Sequence, residues 1–504
     1  MDNLTNSIDQ VVEENSLPHE WSKEVLAELK DLGVKNNKRD DLRKIPFVTI
    51  DGKDAKDFDD AVFCEANKDG FVLQVAIADV AEIVEPSSSI DKEALSRGTS
   101  IYFPKRVIPM LPEEISNNLC SLIPNEDRNV LVCKMNFTQE GEINSYDFSE
   151  SIINSHKRFT YNEVEFLKQN KDTNLSADIL NSINALEKLT KQLLNNRSKR
   201  YALEIESSEP TLSFGNEGNI SEIFIPKRLF AHQMIEEAMI SANICAAKFI
   251  KKHLGFGVYR IHEEPEHLKL ENLKKFFSLK GLSTKSFSSP LEMINSFIKH
   301  VNKDEKNKIM NVLILQSLKR ACYSTKDIGH FGLQLKEYSH FTSPIRRYPD
   351  LISHRLIKNI LNKKQLDSNQ DDLEMTLNDL SDLEQRAERS SRQVIQRLIC
   401  HHLEGSIGEE FSSIVVGITE FGLFCEIENH FISGLVHVSD LSRDRYIFDK
   451  EANILKGKRT GRTFRIGQKI NIQLANVIPE DCLLYTSDAA DEGLGVDLGG
   501  RRII

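Results

Sequence analysis

The hydrophobic period of this chain changes at residue 404, and that change limits its possible folds more than any other feature. Upstream, residues 372–403 carry the apolar spacing of a long amphipathic helix. Downstream, "FSSIVVGITEFGLFCEIENHFISGLVHVSDL" alternates apolar and polar residues in short runs cut by glycines, the rhythm of a small antiparallel barrel. A helix face repeats every 3.6 residues and a strand face every 2, so no single element crosses the junction. With 504 residues, long for one core, the chain is expected to form two or more domains.

Ahead of the junction, "EWSKEVLAELKDLG" predicts a helix ended by glycine and a basic linker. Strand-like alternation follows in "KIPFVTI" and "FVLQVAIADVAEIV", then polar helical sequence over about 160–205 and an amphipathic helix over about 230–250. Further helices are predicted near 349–362 and 372–403. Strands first and helices later, without strict β-α-β repetition, predict an α+β body followed by a small all-β barrel. The expected divisions are 1–40, a helical remnant or linker; 41–403, the α+β body; 404–480, the barrel; and 481–504, an anomalous tail. One more alternating strand is due in that tail, but "DCLLYTSDAADEGLGVDLGGRRII" turns Ala-, Asp- and Gly-rich and reads as a foreign or frameshifted end.

The net charge of −11 counts against a nucleic-acid partner when taken alone. Yet "KNNKRDDLRK" (35–44), "NNRSKR" (195–200), "SPIRRY" (343–348) and "KGKRTGRTFR" (456–465) are basic islands that keep that class open. No apolar run approaches the ~18 residues of a membrane helix. The acidic N-terminus lacks the basic and apolar regions of a signal peptide, so a cytoplasmic location is expected. The eight cysteines form no C-x-x-C pair, which argues against a zinc site and a disulfide framework.

"TIDGKDAKDFDDAVF" (49–63) places Asp51, Asp54, Asp57, Asp59 and Asp60 within ten residues. A calcium loop fails, because counting from Asp51 its Gly and Glu positions hold Lys56 and Val62. Two readings stay open on spacing alone: a solvated acidic turn, or a Mg²⁺ site. Clustered carboxylates repel and are driven to protonate unless a cation offsets them. Mg²⁺ takes a few carboxylate oxygens plus water and substrate phosphate. In "TSPIRRYPD", Pro344 and Pro349 set Arg346 and Arg347 on a loop before a helix N-terminus, where an anion is favoured. Read alone, the pair is equally a surface arginine pair.

The acidic block, "RGTSIYFPKRVIPMLPEEISNNLCSLIPNEDR" (97–128), "VYRIHEEP" (258–265), "GHFGL" (329–333) and "YSHFTSPIRRYPDLISHRLI" (338–357) together resemble, in order, the ribonuclease II/ribonuclease R (RNB) family of 3′→5′ exoribonucleases. The resemblance covers about residues 41–480 and leans toward the ribonuclease R branch. It implies that Asp51, Asp57, Asp59 and Asp60 hold Mg²⁺, with Mn²⁺ a possible substitute, and that Asp59 is the most activity-critical of them. It implies that Arg346 stabilises charge on the scissile phosphate with Arg347 in support, that Tyr102 clamps the terminal base, and that Glu388 lies near the terminal nucleotide. The family's partner aromatic has no counterpart in "RIHEEPEH". His262, His340, Glu236 and Glu237 read as structural.

The barrel resembles the S1-type RNA-binding domain, with Phe421, Phe424 and His437 as candidates to face bases and Lys458 and Arg459 in a basic loop. Packing inside the barrel is the other reading of either phenylalanine. The implied protein is a processive, Mg²⁺-dependent exoribonuclease, monomeric, acting on single-stranded RNA 3′ ends and releasing 5′-nucleoside monophosphates. A catalytically idle RNA-binding or scaffolding relative is the alternative. The family usually carries two N-terminal cold-shock domains, which the first 40 residues cannot hold, so a fragment of a longer protein is expected.

Overall fold

The computed structural model describes residues 3–488 except 34–37, 170–174, 206–208, 216–218, 280, 283–286, 304–309, 365–369, 442–443, 451–452 and 481–482. A seven-stranded sheet centres the larger body, in the order Asp40–Asp41, Ile143–Asn154, Asp127–Thr138, Gly70–Ala78, Asp60–Ala66, Val48–Asp51, Lys157–Thr160. Its middle strand, "GFVLQVAIA", is buried at every position, so it reads as a continuous apolar run and not as an alternation. The helices Ala177–Lys199, Phe230–Leu254 and Tyr348–Leu361 add Leu189, Met234 and Leu351 to the same core. The sheet mixes parallel and antiparallel pairs, and strands and helices are segregated along the chain, as the α+β expectation held. The helices His267–Leu279, Pro290–Val301 and Asn311–Ser317 enclose a small core of their own, where Phe277 stacks on Phe297 at 4.1 Å.

Two parts of the chain differ from expectation. The N-terminal segment begins with a helix, Asn3–Glu14, ahead of the predicted one, which is reduced to Lys23–Glu28 and a 3-10 turn. Leu4, Ile8, Val11 and Val12 fall on one face of Asn3–Glu14 and are buried with Ile101, Phe103, Val394 and Leu398. The tail expectation also needs correction at its start. Leu483–Asp488 is the strand that closes the barrel, antiparallel to Lys469–Ile478 and parallel to Ile432–His437. Leu484 and Thr486 are buried and Tyr485 between them is exposed, so the alternation continues further than the composition suggested. Residues 489–504 lie outside the described residues.

The barrel runs Glu410–Thr419, Gly422–Ile427, Ile432–His437, Leu483–Asp488, Lys469–Ile478 around its circumference. The strands Tyr446–Asp449, Ile454–Gly457 and Thr463–Arg465 form a separate small sheet in its long connection. The 34-residue helix Gln370–Leu403 joins the two bodies. Leu377 and Leu380 of this helix belong to the main core, Ala387, Val394 and Leu398 to the N-terminal cluster, and Ile399, Cys400 and Leu403 to the barrel core. Among the described residues, no helix is long and apolar enough to cross a membrane.

Candidate active site

The acidic block is split between two strands and the loop joining them. Asp51 ends Val48–Asp51, Asp60 opens Asp60–Ala66, and Asp57 and Asp59 lie on the connection. The connection is pinned at both ends. Arg158, on the neighbouring strand, donates from Nη2 to the carbonyls of Gly52 and Lys53, each at 2.7 Å. Ser121 Oγ donates to the Lys56 carbonyl at 2.7 Å and accepts from the Phe58 amide at 3.0 Å. Sequence reasoning missed both residues. Ser121 lies within a recognised block and Arg158 outside all of them, and nothing local marks either as a loop clamp.

Asp59 is 4% exposed. Its Oδ1 accepts from the Ile345 amide at 2.9 Å across 286 residues of chain, and its Oδ2 lies 3.5 Å from Arg346 Nε. Burial pushes the Asp59 carboxyl up to about 8, against the pull of the Arg346 charge and the Ile345 amide. Burial likewise pushes Asp51 to about 6, opposed by the Arg158 charge, and holds Asp60 well above the ordinary range with Asp51 and Asp59 beside it. Asp57 accepts from the Tyr102 hydroxyl at 2.7 Å, and Asp54 is exposed at the surface.

The arginine loop is built as tightly. Asp350, fully buried in the first turn of Tyr348–Leu361, accepts on Oδ1 from the Ser343 amide at 2.8 Å and from Arg347 Nη2 at 2.7 Å. The Ser343 carbonyl accepts from the amides of Arg346 and Arg347, closing the turn. Arg346 donates from Nη2 to Ser343 Oγ at 3.0 Å and leaves its side chain 43% exposed. Arg347 is turned to Asp350 instead and braces the loop from within. A second segment, Gly98–Tyr102, braces the loop from outside. The Arg346 carbonyl accepts from Thr99 Oγ1 and the Ser100 amide, and the Gly98 carbonyl accepts from the Tyr348 amide.

Tyr102, 42% exposed, opens onto a cleft of about 840 Å³ between the α+β body and the barrel. Glu388 lines the same cleft and pairs with Arg392 at 2.9 Å, one turn along the long helix. The barrel wall of the cleft is Ile414, Glu426 and Phe431, which sequence reasoning did not single out. The expected barrel residues lie elsewhere on that domain. Phe421 and Phe424 meet edge to face at 6.1 Å, with Phe421 and His437 exposed. Lys458 and Arg459 are exposed on the small sheet, where Asp444 accepts from the Arg459 and Thr460 amides. His340 accepts from the Tyr323 hydroxyl, His262 holds the Gly332 amide, and Glu236 and Glu237 pair with Arg197, all structural contacts.

The donor set suits a hard divalent cation, which takes carboxylate oxygens. One buried oxygen, Asp51 Oδ2, has no hydrogen-bond partner, the kind of atom that calls for a cation. The aspartates are not drawn into a tight cage. Among the described residues, three carboxylates converge within 4.8 Å only at Asp79, Glu82 and Glu150, and there Lys358 supplies the positive charge. A looser arrangement fits Mg²⁺, which keeps several waters and shares its shell with substrate phosphate.

The fold and site together define a class: a carboxylate-and-arginine centre in an α+β body, coupled by one helix to an OB-type barrel. The RNB domain family matches residues 39–363, and the S1 RNA binding domain family matches residues 406–481. The chain belongs to the RNB family. It is 38% identical over 489 residues to ribonuclease R of Vibrio parahaemolyticus, covering 93% of this chain and 58% of that protein. It is 36% identical over 518 residues to ribonuclease R of Escherichia coli, covering 97% of this chain and 63% of that protein. The chain therefore spans about three fifths of the length of these relatives. A structure of Mycoplasma genitalium RNase R in complex with ribose methylated single-stranded RNA superposes with a TM-score of 0.91 at 30% identity, covering 97% of this chain and 78% of that one.

Proposed function

We propose that this chain is a Mg²⁺-dependent exoribonuclease that hydrolyses single-stranded RNA from the 3′ end and releases 5′-nucleoside monophosphates. The observation that carries the reading is the meeting of Asp59 with the Ile345–Arg346 loop, joined through the Asp57–Tyr102 hydrogen bond to a cleft that Tyr102 and Glu388 line. Carboxylates, a half-exposed guanidinium and an exposed aromatic ring are the parts needed to hydrolyse a terminal phosphodiester. The homology to ribonuclease R relatives supports the same chemistry.

Asp51, Asp57, Asp59 and Asp60 would hold Mg²⁺ or Mn²⁺, and the bound cation would supply activation of the attacking water and compensation of charge on the leaving oxygen. Arg346 presents its guanidinium to the scissile phosphate, a bidentate match that lysine cannot make. The Tyr102 ring stacks on the terminal base, worth roughly 1–3 kcal/mol. Glu388 faces the terminal nucleotide, and its Arg392 partner keeps its charge balanced in the cleft. Exposed Lys458 and Arg459 draw the strand toward the barrel.

The test is a time course on 5′-end-labelled single-stranded RNA with Mg²⁺, with EDTA, and with Asp59→Asn. The proposal expects shortening to a small labelled product, dependent on metal and lost in the variant. RNA that is bound but stays full length with Mg²⁺ or Mn²⁺ would instead make this an RNA-binding relative without catalysis.

A further inference from the structure

We infer that Ser343 is a positioning residue for catalysis, because its hydroxyl sets the direction of the Arg346 guanidinium at the acidic site. The inference rests on the function proposed above and names a residue that the sequence motifs did not assign. Three observations carry it.

Ser343 Oγ accepts from Arg346 Nη2 at 3.0 Å, while Nε of the same guanidinium lies 3.5 Å from Asp59 Oδ2. The planar group is thus held along one side by a neutral acceptor and a carboxylate. Ser343 itself is 4% exposed and cannot drift. Its amide is fixed by Asp350 Oδ1 at 2.8 Å, and its carbonyl takes the amides of Arg346 and Arg347. Finally, the Ile345 amide reaches Asp59 Oδ1 at 2.9 Å, so one turn orients the cationic and anionic halves of the site together.

The chemistry explains why a hydroxyl belongs there. An arginine side chain has four rotatable bonds and in solution would sample many directions. A second carboxylate at residue 343 would hold it more strongly but would compete with the phosphate for the same N–H groups. A serine oxygen gives direction with little charge competition. With Nε and Nη2 so engaged, Nη1 is the group left to meet a phosphate, and the side chain is 43% exposed. Asp350 acts one step further back, by fixing Ser343 and by engaging Arg347, so that of the two arginines Arg346 keeps the more exposed side chain.

The experiment compares wild type, Ser343→Ala, Arg346→Ala and the double variant in single-turnover cleavage of labelled single-stranded RNA with Mg²⁺, alongside RNA affinity and thermal melting. Loss of one hydrogen bond to a charged, aligned group is expected to lower the Ser343→Ala cleavage rate about tenfold to a hundredfold, with affinity and melting temperature unchanged. In the Arg346→Ala background the serine change is expected to add no further loss, because it acts only through that arginine. A Ser343→Ala rate equal to wild type overturns the inference, and so do losses that add in the double variant or that follow a lowered melting temperature. A wild type that fails to shorten RNA at all overturns the proposed function and the inference with it.

Discussion

Asp59 is the residue on which the site turns, and its burial makes a prediction about pH. Its carboxyl is pushed up to about 8 in the folded protein, while an unfolded chain returns it to 3.8. Without a cation, the folded state holds a proton that the unfolded state has lost. That stabilisation is complete below pH 3.8 and disappears as pH rises through 8. Buried His330 and His354, held down to about 3 and about 4, act in the opposite sense, but only below their unfolded value of 6.5. In EDTA, stability is therefore expected to fall by roughly 2 kcal/mol between pH 6.5 and 8 on account of Asp59. Asp59→Asn should remove this share of the decline and leave what Asp60 contributes, and Mg²⁺ should reverse it. Denaturant unfolding at several pH values measures all three, and a wild-type curve that rises with pH in EDTA would contradict the assignment. The aspartate cluster stands out in the sequence by its spacing, but its pairing with Arg346 in one site was legible only through the family resemblance, since each motif alone also fits a solvated turn or a surface pair. Arg158, Ser121 and Ser343 were not singled out, because Arg158 and Ser121 grip a loop 63 or more residues away in the chain and Ser343 works through one hydroxyl.

Among the elements, the brace Gly98–Tyr102 does the most with the fewest residues. It takes hydrogen bonds to the Arg346 main chain at one end and presents Tyr102 to Asp57 at the other. Gly98 starts it at φ +71, and a Cβ there would lie 2.9 Å from Leu383 Cβ on the long helix. Gly98→Ala is expected to cost about 1–3 kcal/mol and to slow cleavage, because the displaced brace carries both Tyr102 and the arginine loop. Thermal unfolding and the RNA time course check this. Retained rate with lowered stability would separate the brace from the chemistry. Element type was readable where the period was long, as in Gln370–Leu403. The helix Asn3–Glu14 was missed although its apolar spacing is plain, because the acidic N-terminus was weighed by composition. The closing strand of the barrel was missed for the same reason, since its alternation is hidden by the Ala-, Asp- and Gly-rich residues after it.

For the whole molecule, the net charge of −11 is the poorest guide to what the surface offers. One of the four basic islands, residues 456–465, falls on the small sheet beside the barrel, where Lys458 and Arg459 are exposed. Replacing Lys458 and Arg459 together with alanine is expected to weaken RNA binding. It should also lower the slope of log affinity against log salt by about 1.4, if each meets a phosphate of a single strand. An unchanged slope would place the strand on another face of the barrel. The long helix has a consequence of its own. Its last turns are packed into the barrel core while its first turns belong to the main core. The two walls of the cleft therefore cannot swing apart like jaws without tearing Ile399 and Leu403 from their packing. Prising the cleft wider would bring both side chains into water, at roughly 1.5–3 kcal/mol each.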